Sequence, residues 1–150
     1  MSTIPVFTSP EGKSIVMQSY QAILDCWPVP YTEQMIQTSF GETCVIASGP
    51  VGAPAVVLVH ALLAASASWY RNVEALSQNY RVFTIDVVGE GNKSHPVKPV
   101  RSLDDFLQWF TELIDGLGFR PTPNILVNSL GKTMVELSLR ALGSLLNRED

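Results

Sequence analysis

From residue 43 to residue 70 the chain carries no Asp, Glu, Lys or Arg. A stretch that long without charge has no strongly solvated face, so most of what it forms must be buried. Gly49, Pro50, Gly52 and Pro54 break it, leaving Ala55–His60 (AVVLVH) as a continuous, largely β-branched run. A half-exposed strand would alternate apolar with polar residues. An unbroken run reads instead as a central parallel strand covered on both faces. The apolar segment from Ala55 to Ala65 contains His60 and falls well short of the roughly 20 residues that span a bilayer.

What flanks that strand decides the fold class. Ser68–Asn79 places Trp69, Val73 and Leu76 at helical spacing, and Tyr80–Asp86 (YRVFTID) reads as the next strand. A loop with Gly89, Gly91, Pro96 and Pro99 follows. Ser102 with Asp105 resembles a capping box ahead of an amphipathic helix carrying Leu103, Phe106, Leu107, Phe110, Leu113, Ile114 and Leu117. Gly116 and Gly118 stop it. Ile125–Asn128 reads as a short buried strand and Lys132–Leu146 as a last helix. Strands alternating with helices from residue 55 onward predict βαβ units, and hence an α/β fold with a mostly parallel sheet flanked by helices.

The N-terminal third differs. Ser9-Pro10-Glu11 is a helix start: N-cap serine, proline at N1, then an acid near the positive end of the dipole. Ile15, Tyr20, Ile23 and Leu24 line one face of a helix ending near Cys26. Trp27-Pro28-Val29-Pro30 cannot continue it, so residues 1–30 read as a helix plus a proline-rich linker. Gln34–Phe40 and Glu42–Ser48 then form an antiparallel hairpin around Gly41. With 150 residues, 46% hydrophobic and 16% charged, the whole is one domain spanning 1–150.

Net charge is −4 with no basic cluster, which removes the electrostatic footprint that nucleic-acid binding needs. Cys26 and Cys44 have no metal-ligand spacing. They read as incidental thiols of a cytoplasmic chain, with a disulfide between them as the alternative. The opening MSTIPVFTSP lacks the basic region and long apolar core of a signal peptide. No motif calls for a metal or cofactor.

Three catalytic patterns overlap on residues 124–134, NILVNSLGKTM. A phosphate-binding loop ending in Gly131-Lys132-Thr133 would need glycine at position 126, where Leu126 stands. Its acidic strand would also follow the loop, whereas Val82–Asp86 precedes it. Ser129 and Lys132 fit a Ser-x-x-Lys pair, since i and i+3 share a helical face, but the companion motifs of that chemistry are absent. Val127-Asn128-Ser129-Leu130-Gly131 is a nucleophile elbow with its first glycine replaced.

The elbow gains weight from what precedes it. The strand ending in His60-Ala61-Leu62-Leu63, then Trp69-Tyr70-Arg71-Asn72, the turn Asp86-Val87-Val88-Gly89-Glu90-Gly91-Asn92-Lys93-Ser94 and the elbow occur in an order that resembles the N-terminal half of an α/β-hydrolase. WPVPY ahead of TSFGETCVIASGP looks like a bacterial branch of that esterase/lipase-like superfamily. The resemblance runs from about Trp27 to Leu142. It implies a partial α/β-hydrolase fold without its C-terminal strands, and a carboxylesterase-like hydrolase acting on a small ester through an acyl-enzyme at Ser129. It also implies an oxyanion hole from the backbone N–H groups of Leu62 and Leu130, and a structural role for His60.

Three departures stand against that chemistry. Val127 occupies the glycine position of the elbow, adding three carbons where the chain presses on its neighbours, at a cost of about 1–3 kcal/mol. Lys132 replaces a second glycine; Ala61 for glycine after His60 is milder. The family order places an acid and then a histidine after the serine, and no histidine follows Ser129 here. His95 reads as a solvated loop residue, and Asp86, Asp104, Asp105 and Asp115 as strand-end, helix-cap and surface acids. A non-catalytic fragment or binding protein is therefore the alternative. An uncovered strand Ile125–Asn128, apolar and without proline, also predicts self-association through its edge.

Overall fold

The structure is a computed structural model that describes residues 2–119, 124–127 and 143. Its order is α1 (Pro10–Asp25), β1 (Tyr31–Thr38), β2 (Gly41–Ser48), β3 (Ala55–Val59), a 3-10 turn (Ser66–Trp69) and α2 (Val73–Ser77). There follow β4 (Arg81–Ile85), β5 (His95–Pro96), α3 (Leu103–Gly116) and β6 (Asn124–Val127). Ser129, Leu130 and Lys132, and the expected helix Lys132–Leu146 apart from Gly143, lie outside the described residues.

One sheet runs β1-β2-β4-β3-β6, with β5 pairing β2. The expected parallel part is β4-β3-β6, and β2 joins it antiparallel, carrying the hairpin partner β1. Val59 is in register with both Ile85 and Val127. The three parallel strands therefore end level, and the residues that follow them leave from one rim. In open α/β sheets, ligands bind at that carboxyl rim.

Both faces of the sheet are covered, which explains the unbroken run in β3. Val57 and Val59 pack with Val45 and Ile85 against Phe106, Trp109, Phe110, Leu113 and Ile114 of α3. Val56, Leu58, Ile46 and Val82 face the other way, against Tyr20, Leu24 and Trp27, and against Trp69 and Val73. Each fully buried side chain of this size contributes about 1.5–3 kcal/mol. Two indoles satisfy their N–H groups on β2: Trp109 donates to Thr43 Oγ1 at 2.8 Å and Trp27 to Ser48 Oγ at 3.0 Å.

Several expectations shift. The single helix expected over Ser68–Asn79 is a 3-10 turn followed by the short α2. Trp69 and Val73 are buried as their spacing requires, and the Ser66 N–H, which has no acceptor within its own turn, is met by the Asp86 carboxylate. On α1, Tyr20 and Leu24 face the core, whereas Ile15 and Ile23 are exposed. β1 begins at Tyr31, three residues earlier than expected, because Tyr31 pairs with Ser48 directly after Pro30. The loop after β4 contains β5, whose close approach requires glycine at position 41: φ is +124°, and a Cβ there would lie 2.1 Å from the His95 carbonyl oxygen.

Candidate active site

At the rim, His60 follows β3 and Asp86 follows β4. Both are buried, at 1% and 0% exposure, so each must find partners inside the protein. Val87 donates its N–H to His60 Nε2 at 2.9 Å. Nε2 must therefore be the acceptor nitrogen, and the proton sits on Nδ1, 2.8 Å from the Ala61 carbonyl oxygen. The Ala61 oxygen accepts a second bond from Ala64 N at 3.0 Å.

These two bonds aim the next donor. Ala61 C=O and Leu62 N–H belong to one planar trans peptide and point in opposite directions. Clamping the carbonyl inward therefore holds the Leu62 N–H outward, and among the described residues it has no acceptor. The Leu62 side chain is 65% exposed. Leu63 then takes φ +61°, unusual for a branched side chain and worth about 1–2 kcal/mol of strain. Its own N–H meets Glu90 Oε2 at 2.5 Å.

Asp86 ties three segments to the same point. Its carboxylate accepts from Ser66 N at 2.8 Å, from Lys93 N at 3.0 Å and from the Tyr20 hydroxyl of α1 at 3.1 and 3.2 Å. No lysine or arginine pairs with it among the described residues; oriented N–H and O–H dipoles balance the charge. Burial, with the Asp86 charge beside it, pushes the Tyr20 hydroxyl far above the ordinary phenol range, so it remains a donor. Burial and then Asp86 likewise push the Cys44 thiol up to about 12. Lys93 turns its ammonium outward to Glu33 at 2.8 Å, 5.0 Å from the Tyr20 ring.

The loop after β4 is equally fixed. Gly89 takes φ +88°, Asn92 Nδ2 donates to the Val87 carbonyl at 2.9 Å, and Ser94 Oγ donates to the Asp86 carbonyl at 2.7 Å. His60–Val87, Ser66–Asp86 and Leu63–Glu90 thus cross-link the loop after β3 to the loop after β4 at three places.

Of the site residues expected from sequence, the structure places Leu62 at the rim with its N–H outward, and His60 in the loop-holding role. Ser129 and Leu130 lie outside the described residues; two positions before the serine, Val127 ends β6 level with Val59. His95 sits on β5, where β2 extends past the end of β4, with Nδ1 3.2 Å from Glu42 Oε2 and both side chains about half exposed. Tyr20 and Glu90 were not expected at the site. Their partners are 66 and 27 residues away, and no local pattern announces such a contact. Asp86 carried one signal: an acid closing an apolar strand has to be compensated. Cys26 and Cys44 are both free thiols. Among the described residues no group of three His, Cys, Asp or Glu side chains could hold a metal, and no helix is long and apolar enough to cross a membrane.

A family model described as alpha/beta hydrolase fold matches residues 54–135, more than half of the chain. The chain is 36% identical over 136 residues to "Carboxylesterase YbfK" of Bacillus subtilis (strain 168), covering 90% of this chain and 46% of that protein. The crystal structure of that carboxylesterase, CesB (YbfK), superposes with a TM-score of 0.81 over 88% of this chain and 46% of the other. The crystal structure of naproxen esterase (carboxylesterase NP) from Bacillus subtilis does so with a TM-score of 0.81 at 34% identity, over 91% of this chain and 47% of the other. The chain thus spans somewhat under half the length of these relatives.

Proposed function

The chain belongs to the α/β-hydrolase family, and from that premise we propose that it serves a carboxylesterase-like serine hydrolase, with Ser129 as nucleophile. The observation that carries this reading is the Ala61–Leu62 peptide, clamped by His60 and Ala64 so that an N–H with no acceptor among the described residues faces out from the strand rim. The carboxylesterase relatives support the same chemistry. Ser129 Oγ attacks the carbonyl carbon of a small ester, and the negative charge that develops on the carbonyl oxygen is taken up by the Leu62 and Leu130 N–H groups. Preorganised donors of this kind are worth about 2.7–4 kcal/mol each. The C–O bond then breaks, the alcohol leaves with a proton, and water releases the acid from the acyl-serine.

That sequence needs a general base beside Ser129. The chain has two histidines. His60 Nε2 is already an acceptor for Val87 N–H, and His95 is paired with Glu42. In this reading the base and its acid come from outside these 150 residues. The commitment of both histidines, with Val127 in the elbow, also favours a second reading: a non-catalytic binding or scaffold role. A fluorophosphonate probe separates them. When it is applied with the part that supplies the base and acid present, covalent label on Ser129, absent in Ser129→Ala, supports the hydrolase; no label under those conditions selects the non-catalytic reading.

We also propose that the 150-residue chain self-associates. β6 is hydrogen-bonded to β3, and among the described residues no strand covers its other edge. An open apolar edge is a template for pairing. Size-exclusion chromatography with light scattering at micromolar concentration should show dimers or larger species; a stable monomer would overturn the proposal.

A further inference from the structure

We propose that Glu90 is a positioning residue that holds the loop after β3 in its anion-binding conformation, a role that rests on the hydrolase reading above. Leu62 lies between two peptide planes. The plane before it is held by the bonds of His60 Nδ1 and Ala64 N to the Ala61 carbonyl. The plane after it carries the Leu63 N–H, and its acceptor is the Glu90 carboxylate. With both planes fixed, the backbone angles of Leu62 are fixed, and so is the direction of its outward N–H.

Packing cannot do this work. The Leu63 side chain is 89% exposed and its φ of +61° is one that a branched residue abandons when released. Glu90, by contrast, stands on a rigid base. Its N–H meets the Val87 carbonyl at 3.3 Å, its carbonyl accepts from Asn92 N at 2.6 Å, and Val87 is bonded to His60. The carboxylate therefore transmits the order of the buried Asp86 loop to an exposed, strained turn. A charge-assisted bond to a backbone N–H is the stronger kind, and here it is made across 27 residues of chain.

The test compares wild type, Glu90→Gln and Glu90→Ala in the 150-residue chain. The first readout is amide exchange at Leu63 by NMR. Protection is expected in the wild type, reduced in the Gln variant, which keeps an acceptor oxygen without the charge, and lost by about ten-fold or more in the Ala variant. Equal exchange in wild type and Glu90→Ala overturns the inference, whether or not the chain is an esterase. The second readout, taken with the part that supplies the base and acid present, is the rate of fluorophosphonate labelling at Ser129, expected to fall about ten-fold in Glu90→Ala and to recover partly in Glu90→Gln at an unchanged urea midpoint. Labelling that proceeds equally in all three also overturns the inference. A wild-type protein that takes no label with the base and acid present defeats the hydrolase reading instead, and the exchange rates still decide the Glu90 contact.

Discussion

Leu63 carries strain without burial, a combination that one substitution can isolate. Asparagine tolerates φ near +60° far better than leucine, and an 89% exposed side chain leaves no cavity behind. Leu63→Asn is expected to raise the unfolding free energy by about 0.5–1 kcal/mol in urea titration. Asp86 is the opposite case, buried and fully bonded. Asp86→Ala leaves the Ser66 and Lys93 N–H groups and the Tyr20 hydroxyl without their acceptor, at an expected cost of about 3–5 kcal/mol. Tyr20→Phe removes a single bond and should cost about 1–2 kcal/mol. The thiols separate in the same way: at pH 8, Ellman's reagent should titrate exposed Cys26 at once. Cys44, buried and pushed up to about 12, should react only on unfolding.

At the scale of elements, α3 shows how a helix is started and then tied to the sheet. Ser102 Oγ accepts from Asp105 N at 3.1 Å, and the Asp105 carboxylate reaches back to Arg101 N at 2.9 Å, one residue before the position a strict capping box would use. Four positions before its end, Glu112 accepts from the Ser39 hydroxyl at 2.9 Å, joining α3 to the β1–β2 turn. Burial pushes the Glu112 carboxyl up, but the Ser39 N–H, the Gln108 amide and the Ser39 hydroxyl outweigh it and hold it below its ordinary value. The bond to Arg101 N leads in lowering Asp105. A carboxyl depressed in the folded state binds fewer protons there than when unfolded, so its contribution is present above about pH 4.5 and is lost as pH falls below that. Urea midpoints measured from pH 7 to pH 3 should stay level and then decline, and Glu112→Gln should lessen the decline.

On the scale of the molecule, the sheet separates two cores that, among the described residues, share no side chain. Ile114 belongs to the cluster under α3, and Ile46 to the cluster under α1 and α2. Ile114→Val and Ile46→Val are each expected to cost about 0.5–1.5 kcal/mol. With the sheet between them the double variant should show their sum to within about 0.5 kcal/mol. A larger discrepancy in urea titrations would mean that the two layers are coupled through the strands.

The sequence by itself determined the longer strands, the helices α1 and α3, and the alternation of strand and helix. Burial imposes a period on each segment, and proline, glycine and capping residues punctuate it locally. Ala55–Val59, Arg81–Ile85 and Leu103–Gly116 were legible for that reason, as was the place of His60 and Leu62 after the central strand. The 3-10 turn at Ser66–Trp69 was not, because four residues are too few to show a period of their own. β5 was hidden for the same kind of reason: it pairs with Gly41 and Glu42, far back in the chain, and a two-residue strand has no period to read. Only the tertiary structure decided that Asp86 gathers α1 and both rim loops, that Glu90 meets Leu63, and that His60 aims the Leu62 N–H. Each depends on a hydrogen bond between residues far apart in the chain, the His60 ring being set by the Val87 N–H 27 residues on, and no local sign in the sequence tells which strand ends will meet.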